Sequence, residues 1–160
     1  MLLWFAALSL VLVAGVFDSP NLDYRLVVVG AVLPVAEGAV GGPWLLHTLP
    51  FCVAALFGVM LVARGRRFAQ RRWLGVPIGL FAHLFLDGTW TRTEVFWWPF
   101  AGIDSLGGSS VPEFSRWPEG LAFEVAGAVV ALWAWRRYRL GDPSCREALL
   151  RQGRLTGMRS

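Results

Sequence analysis

Apolar side chains in this sequence gather in runs, and the charged residues fall mostly in the breaks between them. The first run covers residues 1–17, has no charged side chain, and stops at Asp18-Ser19-Pro20-Asn21. A shorter run, Leu26 to Ala36, follows Asp23, a suitable N-cap, and ends at Glu37 before the glycine-rich stretch Gly38 to Pro43. Residues 44–63 are apolar apart from His47 and Thr48 near the start, and they end at Arg64-Gly65-Arg66-Arg67. Residues 73–86 carry Pro77 in their first turn, where proline is tolerated, and His83 near their end, with Asp87 just beyond. The last run, 121–135, opens near Glu124 and gives way to a basic tail. These runs predict helices.

Composition turns that pattern into a class. The 160 residues are 56% hydrophobic and only 16% charged, with mean hydropathy +0.53. Soluble domains carry about 25% charged residues. A membrane-crossing helix needs roughly 20 apolar residues, so the length admits about four spans and no separate soluble domain. The expected fold is all-α: an integral membrane bundle of about four transmembrane helices, at 1–17, 44–63, 73–86 and 121–135, plus one short interfacial or re-entrant helix at about 24–36. One membrane domain then fills 1–140, and 141–160 is a poorly ordered cytoplasmic tail. Residues 1–17 read as a span rather than a cleaved signal, because no Lys or Arg precedes the apolar stretch.

The charges set the expected topology. All 15 basic residues are arginines, the net charge is +4, and the arginines cluster at 64–72 and after 136. Beside apolar runs this distribution speaks for membrane sidedness rather than nucleic acid. It places both termini and the Arg64–Arg72 loop in the cytoplasm of a multi-pass inner-membrane protein. The loops holding Asp18, Asp23 and Glu37, and Asp87 to Glu119, then face outward. The two cysteines, Cys52 in a span and Cys145 in the tail, do not pair.

This topology brings the chain's two histidines, His47 and His83, to one level with Glu37, Asp87 and Glu124. His83 and Asp87 stand four apart, on one helix face, and can offer a nitrogen and an oxygen to one cation. His47 is the third candidate ligand. Glu37 is a fourth ligand or a general base, and Glu124 a weaker candidate. Thr48, Thr89 and Thr91 are near enough to hydrogen-bond the ligands, although capping of the span ends is the preferred account of them. A divalent metal, zinc or manganese, held in this way activates a water. The plainer account leaves the histidines bonded to backbone or water and Asp87 ending its helix. The aromatic stretch Phe96-Trp97-Trp98-Pro99-Phe100 reads as an interfacial belt or as the roof of a pocket beside the site. No serine-nucleophile or phosphate-loop motif is present.

Gly30-Ala31-Val32-Leu33-Pro34, His47-Thr48, His83-Leu84-Phe85-Leu86-Asp87 and Trp98-Pro99-Phe100 together resemble a family of small bacterial inner-membrane proteins described as metal-dependent hydrolases. The resemblance covers about Asp18 to Phe100. It implies a metal-binding site and hydrolysis; the expected depth of the site at the outer face, beside tryptophans, makes the expected substrate a lipid or lipid-linked ester or phosphoester. The family carries an aspartate after the proline of its first motif; here that position is Val35, and Glu37 stands two residues on. The alternative is a non-catalytic membrane scaffold or accessory subunit. The small pair Gly127 and Ala131, suited to helix contact, favours it slightly. A transporter is a poor fit, because a single ionisable cluster gives no path across.

Overall fold

In the computed structural model, residues 1–39, 43–103, 106 and 118–155 are described. Helix α1, Leu2–Phe17, ends where Asp18 turns left-handed (φ 39°) and its N–H bonds the carbonyl of Ala14. Helix α2 spans Tyr24–Ala39. Asp23 starts it as expected, with Oδ1 accepting the N–H of Arg25 at 3.2 Å. A 3₁₀ turn, Leu45–His47, precedes α3, Leu49–Val62, which is capped by the Thr48 side chain. Helices α4, Arg67–Trp73, and α5, Gly75–Asp87, are separated by Leu74 alone. A second 3₁₀ turn, Thr89–Thr91, leads to α6, Thr93–Phe96. Helix α7, Glu119–Arg137, is followed by α8, Pro143–Glu147, and a π-type turn, Ala148–Gln152.

The bundle centres on α2 and α5, which pack more extensively than any other pair; α1 lies across both, and α7 covers α1. Missing side chains make the α2–α5 contact close. A Cβ on Gly30 would overlap the carbonyl of Val76, and one on Gly79 would overlap that of Val27. Gly127 of α7 likewise meets the backbone of Leu3 and Trp4, so the small-residue patch seals an internal contact. The main core gathers Val13, Ala14, Tyr24, Val27, Ala82 and Ala134, while Cys52, Leu80 and Leu84 form a second core between α3 and α5.

The described helices overturn the expected integral membrane bundle and the multi-pass inner-membrane placement. Helices α1, α3 and α5 have 16, 14 and 13 residues. At 1.5 Å per residue they reach about 24, 21 and 20 Å, against roughly 30 Å of hydrocarbon. Helix α7 has 19 residues but carries Glu119, Glu124, Arg136 and Arg137. Among the described residues no helix is long and apolar enough to cross a membrane. The apolar runs were cut by their own backbone breaks: Thr48 detaches the His47 turn from α3, and Leu74 divides 67–73 from 75–87.

The assumed sidedness falls as well. Helix α2 is as long as α1 and continues through Pro34, so it is no short appendage. It carries the chain from one end of the bundle to the other, which puts Asp23 and Glu37 at opposite ends. Asp23 meets Arg72 (Oδ2 to Nε, 3.2 Å) in the arginine-rich segment assigned to the other face. The segment after 140 is no loose tail up to residue 155: Leu140 and Leu155 are buried in the main core, and the carbonyl of Gly153 accepts the N–H of Tyr24 at 2.8 Å. Residues 156–160 lie outside the described residues.

Candidate metal centre

His83 sits in the last turn of α5 and is wholly buried. Its Nδ1 lies 2.7 Å from the carbonyl oxygen of Ala31. A carbonyl only accepts, so Nδ1 carries the hydrogen and Nε2 of the neutral ring carries a lone pair. The Gly30-to-Pro34 motif explains why that carbonyl is in reach. Pro34 supplies no N–H to the preceding turn of α2, while Gly30 lets α5 approach. The ring of Phe5, from the first turns of α1, lies 4.1 Å from the His83 ring and covers its face.

His47 is placed by its 3₁₀ turn, and Glu37 holds that turn. The Glu37 carboxylate accepts the N–H groups of Trp44 (3.0 Å) and Leu46 (2.9 Å), and it lies 2.9 Å from Nδ1 of His47. A carboxylate on Nδ1 again directs the hydrogen there and leaves Nε2 as the donor atom toward a cation. The two imidazoles stand 5.2 Å apart and nearly perpendicular, at 82°.

Asp87 closes α5 and is 4% exposed. Its Oδ2 accepts the hydroxyl of Thr89 at 2.7 Å. Nε2 of His47, Nε2 of His83 and Oδ1 of Asp87 are buried atoms that no hydrogen bond reaches. One ligand atom from each of His47, His83 and Asp87 lies within 4.8 Å of the others, so the cluster can hold a metal ion. Bonds of about 2.1 Å at tetrahedral angles put ligand atoms roughly 3.4 Å apart, so closure over an ion asks for a movement of about 1 Å. Two nitrogens and one carboxylate oxygen suit zinc, and manganese is within their range.

The remaining candidates fall into other places. Glu37 touches the outer nitrogen of His47, where it orients the ring and does not reach the cluster as a ligand. Glu124 is away from the cluster: it accepts the N–H of Leu3 (3.2 Å to each oxygen) and faces the terminal ammonium at 3.9 Å, anchoring the start of α1. Thr48 caps α3 through the N–H of Phe51 (3.4 Å), and Thr91 donates to the carbonyl of Gly88 at 2.8 Å. Of the three threonines, Thr89 supports a ligand. The Ala31 carbonyl and the Phe5 ring escaped sequence reading; the proline spacing was the one available signal for the first. Cys52, one turn into α3, remains a thiol, since burial, aided by the Glu37 charge, pushes its pKa up to about 12.

Phe96 lines an apolar cavity of about 510 Å³ with Leu49, Phe81, Leu84, Phe85 and Trp90. These residues interleave in sequence with the cluster: Leu84 follows His83, Leu49 is two beyond His47, and Trp90 is three beyond Asp87. Of the two readings of the 96–100 stretch, the pocket wall describes Phe96, while Trp97 and Phe100 are exposed. No protein-family model, curated protein or solved structure matches this chain.

Proposed function

We propose that the protein is a metal-dependent hydrolase whose ion is held by His47, His83 and Asp87. The observation that carries this reading is the convergence of two imidazoles, each fixed with its hydrogen on Nδ1, on one aspartate oxygen within 4.8 Å. Three protein ligands, rather than four, are the pattern of catalytic zinc, which keeps a position for water. When bound, the ion supplies a Lewis acid and lowers the pKa of its water toward neutrality. Glu37 and Thr89 hold the ligands in place, and Phe5 shields one side of His83. The apolar cavity beside α5 suits the chain of an ester or phosphoester, which keeps the resemblance to metal-dependent hydrolases without its membrane.

Burial of all three ligands favours a second reading, in which the ion only clamps α2, the His47 turn and α5 together. Both readings predict metal; only the first predicts turnover. The purified protein is assayed for bound zinc and manganese, and for hydrolysis of p-nitrophenyl esters and phosphoesters of increasing chain length. The expected result is close to one ion per chain, with chelator-sensitive hydrolysis that improves with chain length. His83→Ala and Asp87→Asn should each lower metal content at least tenfold. Metal without hydrolysis would leave the clamp, and neither metal nor hydrolysis in a folded protein sinks both.

A further inference from the structure

The end of the bundle remote from the histidines has its own polar cleft. Its walls come from three segments far apart in sequence: the α1–α2 turn (Asn21, Asp23), α4 (Arg71, Arg72) and the C-terminal segment (Gln152, Arg154). The floor is built around Asp23, which is 3% exposed. Its carboxylate accepts Nε and NH2 of Arg25 at 3.0 and 2.8 Å, and Nε of Arg72 at 3.2 Å. Arg25 is further fixed by donating to the carbonyl of Leu150 at 2.6 Å. Gly153 lets the carboxylate lie against the backbone: its φ is +71°, and a Cβ would collide with the Asp23 carboxylate. Arg72 is 60% exposed but is tethered to this buried acid through Nε.

The charges do not balance. Arg25, Arg71, Arg72 and Arg154 bring four positive charges, and Asp23 returns one negative, which leaves three in excess. Among the described residues, the guanidinium groups of Arg71 and Arg154 make no ion pair or hydrogen bond, although both residues line the cleft. Like charges gathered from separate segments repel unless an anion lies between them. The cleft volume is about 120 Å³. That is room enough for a tetrahedral oxyanion.

We propose that this cleft binds a phosphate-class oxyanion, held by Arg71, Arg72 and Arg154. Planar guanidiniums offer paired N–H donors that match the oxygens of such an anion. A bound oxyanion ties the C-terminal segment to α4 and to the start of α2. It lies at the opposite end of α5, a helix roughly 20 Å long, from the metal centre, and shares no residue with that centre.

The test uses the full chain and isothermal titration with inorganic phosphate, with chloride at matched ionic strength as control. One phosphate is expected per chain, accompanied by a rise in Tm that chloride does not give. Arg154→Ala and Arg71→Ala, at exposed side chains without partners, should keep the helical circular-dichroism signal and weaken phosphate at least tenfold. Arg64→Ala, outside the cleft, should bind as the parent does. A parallel titration with glycerol phosphate separates the sources: equal or tighter binding marks a phosphomonoester group, and tenfold weaker binding marks free phosphate. Phosphate that acts no better than chloride, or that binds Arg154→Ala and Arg71→Ala undiminished, overturns the site.

Discussion

At the scale of single residues, the metal centre depends as much on what holds the ligands as on the ligands. Glu37 shows this. Its two oxygens serve three N–H groups: the backbone N–H groups of Trp44 and Leu46 and one from the His47 ring. In Glu37→Gln one oxygen becomes an NH₂ group that faces donors instead of accepting from them. The expected outcome is a folded protein whose zinc affinity falls about 10- to 100-fold, the usual cost of losing an orienting partner. Competition with a chromogenic chelator reads this directly, and unchanged affinity would remove Glu37 from the site. Thr89→Val should act in the same direction through Asp87. Cys52 gives a second residue-scale prediction. Fully buried and held as a thiol by a pKa near 12, it should resist a disulfide reagent at neutral pH while Cys145 reacts. One modified thiol per native chain and two after denaturation is the expected count.

At the scale of elements, the bundle turns on glycines, and they sort into two kinds. Gly30 and Gly79 face backbone of the opposing helix, whereas Gly15 in α1 and Gly58 in α3 have open space where a Cβ would go. Gly79→Ala should therefore cost about 2–3 kcal/mol by forcing α2 and α5 apart. Gly15→Ala and Gly58→Ala should each add about 0.4–1 kcal/mol, since alanine leaves the unfolded chain less freedom and favours helix. Urea midpoints of the three variants check both signs. This division also explains what the sequence could disclose. Apolar runs locate α1, α3, α5 and α7 within a few residues, because burial in any solvent-excluding core demands such runs. They do not disclose how long each unbroken helix is, and that is why the membrane reading failed. Hydropathy also ignores where the backbone turns, so Arg67–Trp73 passed for a loop and the His47 turn for the start of a helix. The meeting of His47, His83 and Asp87 was legible because His83 and Asp87 share one face of α5 and His47 opens the neighbouring apolar run, although the common membrane level that also drew in Glu124 does not hold. The position of Glu37 was not legible, because it follows from a turn that folds back onto α2.

At the scale of the molecule, the two ends of the bundle carry different chemistry. One end gathers His47, His83, Asp87 and Glu37; the other gathers the arginines around Asp23, which lock the C-terminal segment onto α2. That lock makes stability depend on pH in a definite sense. Burial raises the pKa of Asp23, but the hydrogen bonds and charge of Arg25, together with the charge of Arg72, outweigh it and hold the carboxyl below its usual 3.8. The folded chain thus prefers the ionised form more than the unfolded chain does. The resulting stabilisation is fully present above about pH 4 and is lost as the pH falls through the depressed folded value. Asp142 is also lowered, by its bonds to Ser144, but it is unchanged in a variant at position 23 and cancels in a comparison. Asp23→Asn should accordingly be less stable than the parent at pH 7, and the gap should narrow steadily from pH 4 to pH 2. Gly153→Ala should reproduce the loss at pH 7, because its methyl group displaces the same carboxylate. Denaturant midpoints at pH 7, 4 and 2 decide the matter: a gap that stays constant with pH would mean that packing, and not the ionised Asp23, secures this end of the bundle.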